Sequence, residues 1–192
     1  MLAPPTIANQ GCSQNSDISV AAGNTERLAP GVHCGHVQIA NGGSVELDAG
    51  EHVFRGGLNA ANGSEISGDD VLMVFERAHD VYTLDGKLDV KGRTSGEFRG
   101  FVFYHEDYRG NSNSIDIGPQ ADFNAEGLIY LPNTNMRISA DVNELVTRSI
   151  LVTDRIELSG NASFTAVANE QSTTPLPDAL LATDASNLRL TR

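Results

Sequence analysis

Aromatic and basic residues are both scarce in this chain of 192 residues. It contains no Trp, 7 Phe and 4 Tyr, so aliphatic side chains must supply most of any core. Lys and Arg together number 13 against 25 Asp and Glu, which gives a formal net charge of −12. A chain this acidic lacks the basic surface that neutralises phosphates, and this excludes nucleic acid as its partner.

Long apolar runs are missing as well. A membrane-spanning helix needs about 20 consecutive apolar residues, and the longest apolar run in this chain falls far short of that length. The first residues, MLAPPTIANQG, have neither the basic nor the apolar part of an export signal. We therefore expect one soluble domain that begins with a linker and does not insert into a membrane.

A short repeated unit, in which two apolar residues flank a third residue, dominates the chain instead. Successive copies start about 20 to 24 residues apart, with one longer interval of about 33 residues that marks an insertion. The copies start at Val37, Leu58, Tyr82, Ile115, Met136 and Ile156. Strands that recur at this period predict an all-β fold, a right-handed parallel β-helix (solenoid) of about six coils.

Stacking these units predicts three columns of side chains, because alternate residues of a strand point to opposite sides. The first inward column is Val37, Leu58, Tyr82, Ile115, Met136 and Ile156. The second inward column is Ile39, Ala60, Leu84, Ile117, Ile138 and Leu158. The outward column is Gln38, Asn59, Thr83, Asp116, Arg137 and Glu157. All inward residues except Ala60 are large and apolar, and Arg137 falls between two carboxylates, which predicts a surface row of ion pairs.

A second family of strands is apolar at successive positions. Its members are residues 71–75 (VLMVF), 101–104 (FVFY), 128–131 (LIYL) and 150–153 (ILVT). A strand that is apolar on both sides is normally covered on both sides. We expect segments of this chain, short helices at residues 141–146 or 178–182, to provide the cover; a partner protein is the alternative.

The ends of the chain lack the repeat, and this suggests three parts. Residues 1–35 form a linker and N-terminal cap, residues 36–168 the parallel β-helix, and residues 169–192 a C-terminal tail or cap. Cys12 and Cys34 both lie in the first part, where a disulfide would stabilise the cap by about 3 kcal/mol. An even cysteine count fits an oxidising compartment, with two free buried thiols as the alternative.

Several non-repeating motifs resemble the C-terminal region of TadG-like proteins of the tight adherence (Tad/Flp) pilus system. Residues 28–35 (LAPGVHCG) resemble the family's L-x-P-G-x-Y-C-G signature, and residues 47–54 (LDAGEHVF) echo it. Further matches are residues 94–107 (TSGEFRGFVFYHED), 127–133 (GLIYLPN) and 156–162 (IELSGNA). The motifs occur in family order and span residues 11–165. His33 and His52 depart from the pattern, since the family commonly has Tyr there.

The resemblance implies a non-catalytic, extracytoplasmic module that serves pilus assembly or surface attachment. It implies pilin or pilus-assembly proteins as partners, with surface polysaccharide as a further candidate. It also implies an anchor, an N-terminal membrane helix that this chain does not include, which places the domain in the periplasm or at the cell surface. The resemblance implies no enzyme activity, no cofactor and no catalytic residues.

The residues themselves also argue against a metal or catalytic centre. Three places were considered for a metal: His105 with Glu106 and Asp107, the pair His33 and His36 beside Cys34, and Asp69 and Asp70 near Glu65. At the first place, side chains of consecutive strand residues point in different directions and cannot share one metal. Zinc at the second place would need thiolates as well as imidazoles. Calcium at the third place would need six to eight oxygen ligands. We therefore predict no metal site.

Two alternatives to the pilus module remain. Many β-helix proteins bind or cleave carbohydrate, and cleavage would need two carboxylates on one side about 5–10 Å apart. Asp116 and Glu157 share the outward column, but Arg137 lies between them. The second alternative is a self-assembling scaffold whose helices stack end to end, as bactofilin-like proteins do, although a capped N-terminus works against it.

Overall fold

The computed structural model describes residues 10–76, 82–105, 113–140, 145–160, 164–166 and 174–177. Within these ranges every regular element is a β-strand and every pairing of two strands is parallel. The strands are β1 (Ile18–Val20), β2 (Thr25–Leu28), β3 (Gly31–His33), β4 (Val37–Ile39), β5 (Ser44–Leu47), β6 (Gly50–Phe54), β7 (Leu58–Ala60), β8 (Glu65–Gly68), β9 (Val71–Phe75), β10 (Tyr82–Leu84), β11 (Lys87–Lys91), β12 (Phe101–His105), β13 (Asn113–Ile117), β14 (Asp122–Ala140), β15 (Leu145–Gly160) and β16 (Phe164–Ala166).

These strands wind around three faces and form a parallel β-solenoid of about six turns, as the repeat predicted. The first face contains β1, β4, β7, β10, β13 and the last parts of β14 and β15. The second face contains β2, β5, β8, β11 and the first parts of β14 and β15, with β16 last. The third face contains β3, β6, β9, β12 and the middle parts of β14 and β15.

The register of the first face matches the predicted columns residue for residue. Val37 pairs with Leu58, Leu58 with Tyr82, and the series continues to the pair of Met136 and Ile156. The second column is in register over the same strands, from Ile39 to Leu158. A slip of one residue would turn every apolar side chain outward, so burial of the columns holds this register.

The solenoid starts earlier than the predicted boundary at residue 36. Ile18 pairs with Val37 and Val20 with Ile39, and β2 and β3 pair in the same way with β5 and β6. Residues 18–33 therefore form a complete coil instead of a non-periodic cap. The sequence does carry a signal for this coil, because Ile18-Ser19-Val20 is an apolar-x-apolar unit about one period before Val37, but the predicted boundary left it outside the repeat.

Glycine makes the turn from the first face to the second possible in the first three coils. Gly23, Gly42 and Gly63 occupy this turn with φ values of 76°, 77° and 73°. This is the left-handed region, where a side chain with a Cβ atom is strained. The repeat of turn glycines in the sequence thus reflects the same sharp corner built coil after coil.

The outer side of the third face carries a second apolar cluster, which we call the outer cluster. Its buried members are Val32, Val53, Leu72, Val74, Phe98, Phe101, Tyr104 and Leu128. Leu72 and Val74 are fully buried in the isolated chain, so over these coils the chain itself provides the cover, as expected. The last strand of this face differs, because Ile150 and Val152, which pair with Leu128 and Tyr130, are 41% and 37% exposed.

Two described segments contribute to this cover. Residues 92–100, an insertion between β11 and β12, place Phe98 edge-on against Phe101 and Tyr104, with ring centroids 5.9 and 5.3 Å apart. Residues 174–177 lie beside Gly100, and the amide of Thr174 donates to Glu126 at 2.9 Å. A helix at 141–146 is wrong for Leu145 and Val146, which begin β15, whereas residues 141–144 and 178–182 lie outside the described residues.

Burial falls off at the C-terminal end of the solenoid. Met136 and Ile138 are buried, but their partners in the last described rung of the first face, Ile156 and Leu158, are 40% and 51% exposed. The columns therefore continue in register to the last described rung of the first face, where the described residues leave their last members partly exposed. The predicted boundary at residue 168 lies outside the described residues.

Candidate functional site

The disulfide predicted near the N-terminus is present. Cys12 and Cys34 are bonded, so the alternative of two free thiols does not apply. Backbone hydrogen bonds reinforce the link, because Ser13 donates to the carbonyl of Val32 at 2.9 Å and Cys34 donates to that of Gln14 at 2.8 Å. The residues before the first coil are thereby fastened along β3.

The outward column of the first face forms the expected row of charges. Arg137 lies between Asp116 and Glu157, with nitrogen–oxygen distances of 3.9 and 3.3 Å, and Arg155 also approaches Glu157 at 3.4 Å. All four side chains are exposed. Ion pairs of this kind contribute about 0–1 kcal/mol each, so the row gives this face its charge pattern and little stability.

The acidic residues considered for calcium are each paired with a cation. Glu65 contacts Lys87 at 2.7 Å, Asp69 contacts Lys91 at 2.9 Å, and the carboxylate of Asp70 contacts Arg93 at 2.9 Å. Asp70 also accepts hydrogen bonds from the amide and hydroxyl of Thr94. These contacts fasten the insertion at residues 92–100 to the turn before β9, which is a structural role.

Asp70 itself adopts a left-handed backbone, with φ of 58°. Aspartate tolerates this conformation better than most residues because its side chain bonds locally. In this turn the carbonyl of Asp70 also accepts a hydrogen bond from Arg93 at 2.5 Å. The turn and the arginine therefore stabilise each other.

The histidines considered for zinc point to different environments. His33 is buried in the solenoid, Cys34 is in the disulfide, and His36 is half-buried on the turn that follows. His105 is buried at the end of β12, while Glu106 and Asp107 lie outside the described residues. Among the residues that the structure describes, no group of three His, Cys, Asp or Glu side chains converges on one point.

His33 instead pairs with His52 from the next coil. Nε2 of His33 lies 3.3 Å from Nδ1 of His52, and Nε2 of His52 lies 2.8 Å from the carbonyl oxygen of Asp48. A carbonyl only accepts, so His52 donates to it and receives the hydrogen bond from His33. Burial, together with the charge of His52, lowers the pKa of His33 to about 4, and burial lowers the pKa of His52 as well. Both rings are neutral at pH 7.

The outer side of the second face contains a groove of about 290 Å³. A column of polar residues runs through it, because Arg27 pairs with Glu46, Glu46 with Ser67, and Ser67 with Asp89. The groove is lined by Arg27, Glu46, Leu47, Asp48, Ser67, Gly68, Asp69, Asp89 and Lys91. Small Ser67 and Gly68 sit between larger neighbours, and this difference in size creates the concavity.

Ion pairs close both rims of this groove. Arg27 contacts Asp48 at 2.5 Å on one side, and Lys91 contacts Asp69 at 2.9 Å on the other. The hydrogen bond and charge of Asp69 raise the pKa of Lys91, so its ammonium stays charged at neutral pH. Glu46 is exposed between the rims, and Asp89 accepts a hydrogen bond from Asn124 at 2.8 Å.

The sequence reasoning missed the groove because it followed only the first face. A matching signal exists in the buried second-face residues Val45, Ile66, Leu88 and Phe123, which pair in register from coil to coil. Alignment of these positions would have placed Glu46, Ser67 and Asp89 in one outward column. The arrangement can bind a polar molecule through charge and hydrogen bonds, and it offers no exposed aromatic ring for stacking.

No protein-family model, curated protein or solved structure matches this chain. Among the described residues, none of the structure's elements is a helix that could cross a membrane. The function is therefore inferred from the motifs, the fold and the surface of this molecule alone.

Proposed function

We propose that this chain is a non-catalytic, extracytoplasmic structural or adhesive module, associated with Tad pilus assembly or with surface attachment. The observation that carries the proposal is the ordered set of motifs that resemble TadG-like proteins. A disulfide adds support, because such bonds persist in oxidising compartments outside the cytoplasm. A rigid solenoid with flat faces also suits a module that acts through contact.

The motifs occupy coherent positions in the fold. Residues 28–35 and 47–54 contain β3 and β6, and each of these strands starts with a glycine, Gly31 or Gly50, whose φ is near 143°. Residues 94–107 include Phe98 of the cover and strand β12, and residues 127–133 form the third-face part of β14. The resemblance is thus concentrated in the third face and its cover, a part that side-chain packing constrains strongly.

Retention by pilus components tests this proposal directly. The purified chain, immobilised through its C-terminus, is incubated with purified pilin and pilus-assembly proteins, and we expect at least one of them to be retained. Arg137→Glu is a useful variant, because it replaces the central cation of the charge row of the first face by a carboxylate. Failure of every pilus component to bind the unmodified chain would refute the assignment.

The groove of the second face favours a second candidate function, carbohydrate binding. Carboxylates, a hydroxyl and two cations line it and can bond to sugar hydroxyls. We propose binding rather than cleavage, because Asp48 and Asp69 are engaged in ion pairs and Asp89 in a hydrogen bond.

A glycan array tests this second candidate. Ser67→Tyr fills the middle of the groove and should abolish any signal, whereas Thr83→Tyr on the outward column of the first face should leave it unchanged. Long incubation with a bound polymer should leave its length unaltered, and release of short products would show that the groove cleaves. An array without any bound glycan would remove the candidate.

A further inference from the structure

The last coil of the solenoid carries almost all the large apolar side chains that the described chain leaves exposed. These are Ile150, Val152, Ile156 and Leu158, all on β15, and Leu176. Ile156 and Leu158 belong to the two inward columns, so at this end the described residues leave part of the interior exposed. Apolar surface gathered at one place on a soluble domain marks an interaction site.

A strand edge accompanies this apolar surface. Residues 155–160 of β15 pair with residues 135–140 of β14 along one side. On the other side, none of the strands that the structure describes pairs with them. An edge of this kind presents backbone donors and acceptors to any strand that aligns with it.

At the opposite end of the solenoid the apolar interior is covered, while β1 and β2, like the last strand of the first face, each have one edge that none of the described strands pairs with. In the first coil, Val20, Leu28 and Val32 are all buried, and the disulfide fastens the preceding residues against β3. Head-to-tail stacking would therefore bring the open end of one copy against a covered surface. The apolar surface exposed at the C-terminal end of one copy is therefore matched by the same surface of a second copy.

The charges on the last strand fit such a pairing. Two identical strands related by a two-fold axis lie antiparallel, and with the axis at Ile156 the residue before it faces the residue after it. Arg155 would then lie opposite Glu157 of the partner subunit, and this contact occurs twice. Arg155 and Glu157 both point outward beside each other, 3.4 Å apart within one chain, so they are placed to exchange partners.

From these observations we propose that the chain forms a two-fold symmetric dimer through its C-terminal coils. The two edges pair about Ile156 through residues 155–157 and join the first faces into one sheet, and the two Ile156 side chains meet at the centre of the joined interior. Because the contact is isologous, it closes at two copies and does not propagate into a filament. The N-terminal ends then point away from each other. This inference goes beyond the proposed function and does not depend on the identity of a pilus partner.

Charge reversal tests the proposed register. Arg155→Glu and Glu157→Arg each place like charges opposite each other in a homodimer, so each variant alone should self-associate at least about tenfold more weakly. A mixture of the two variants restores opposite charges at both contacts, so the mixture should form heterodimers at concentrations where neither variant dimerises. Analytical ultracentrifugation with one variant fluorescently labelled measures both results.

Ile156→Lys tests the apolar part of the interface, because it brings two like charges together on the two-fold axis, whereas in the monomer this side chain, which is 40% exposed, can still reach solvent. This variant should be monomeric with an unchanged circular dichroism spectrum, and Gln38→Lys on the exposed outward column should dimerise like the original chain. A monomeric original chain at all concentrations up to the solubility limit overturns the proposal. So does a dimer that Ile156→Lys leaves intact, or a mixture of the charge variants that stays monomeric.

Discussion

At the scale of single residues, the polar side chains inside and at the corners of the solenoid have the largest consequences. His33 and His52 are buried and bonded to each other in their neutral forms. Arg55 and Glu76 form a nearly buried ion pair at the ends of β6 and β9, with a second contact of 2.8 Å between Nη2 and Oε1. Each pair joins two successive coils, so a substitution of one of these residues should destabilise both coils.

Acid should weaken the fold through His33. Its pKa is about 4 in the folded chain and near 6.5 when unfolded, so the unfolded chain binds the additional proton between these values. Stability is therefore complete above about pH 6.5 and falls as the pH drops toward 4. Between pH 7.5 and 4.5 we expect His33 to account for a loss of about 2–3 kcal/mol.

Urea unfolding at both pH values measures this loss. His33→Gln keeps a polar group near the position of Nε2 but does not titrate, so its loss between the two pH values should be smaller than that of the original chain. His36→Gln, on the half-buried turn, serves as the matched control and should behave like the original chain. Equal losses in the His33 variant and the original chain would show that this histidine is not responsible.

The Arg55–Glu76 pair should contribute far more than an exposed pair. Its side chains are only 16% and 12% exposed, whereas those of Lys87 and Glu65 are 48% and 43% exposed. Glu76→Gln leaves a nearly buried guanidinium without its charge partner and should cost roughly 1–3 kcal/mol. Glu65→Gln should cost less than about 0.5 kcal/mol. Chemical denaturation compares the two, and similar costs would contradict the role of burial.

At the scale of elements, the strands are held by columns that run across them. Successive strands of the first face are only three to five residues long as far as β13, and each gains stability from the same side-chain position on its neighbours. Tyr82 illustrates how the faces are also linked, since its hydroxyl donates to the carbonyl of Phe54 on the third face at 2.8 Å. No strand is an independent unit.

Substitutions of neighbouring residues in one strand should therefore differ sharply in their effect on the free energy of unfolding. Ile117 is fully buried in the second inward column, and Ile117→Ala should lower the free energy of unfolding by about 2–5 kcal/mol through lost contacts and a cavity. Asp116→Asn, one residue earlier and facing outward, should cost at most about 1 kcal/mol. Thermal and urea unfolding of both variants decide the matter, and comparable costs would mean that the columns are not the core.

At the scale of the whole molecule, the two ends of the solenoid are treated differently. The N-terminal end is closed by the disulfide and by buried residues of the first coil, and the C-terminal end exposes Ile156 and Leu158. An uncovered end of a solenoid presents both a strand edge and apolar interior. The two ends of the described solenoid therefore differ in how much apolar interior they expose.

Loss of the disulfide should loosen the closed end first. Cys12 and Cys34 are separated by 22 residues, and a crosslink of this span stabilises by about 3 kcal/mol. The double variant Cys12→Ser/Cys34→Ser should lose about that amount, and amide hydrogens of β1, β2 and β3 should exchange faster than those of β7, β8 and β9. Hydrogen exchange with mass spectrometry locates the change. Unaltered protection in the first coil would contradict this role of the bond.

The register of the first face could be predicted from the sequence because it depends on a local rule. Side chains alternate along a strand, and a repeat near the length of one coil brings equal positions together. The columns from Val37 to Ile156 and from Ile39 to Leu158 follow from this rule without any knowledge of distant contacts. The first coil and the second-face columns carry the same period, in Ile18-Ser19-Val20 and from Val45 to Phe123, so the alternation rule could have located them as well. The concavity beside Ser67 and Gly68 follows from no such rule, because it depends on how neighbouring coils pack.

By itself, then, the sequence determined the strand class, the period and the inward or outward direction of each first-face residue. Only the tertiary structure decided that His33 meets His52, that Arg55 meets Glu76, that residues 174–177 lie beside Gly100, and that Ile156 and Leu158 remain partly exposed. The physical reason is the separation along the chain over which each rule acts. Alternation acts between adjacent residues, whereas these contacts depend on where the corners turn and on which segments then lie side by side, and no local pattern in the chain contains that information.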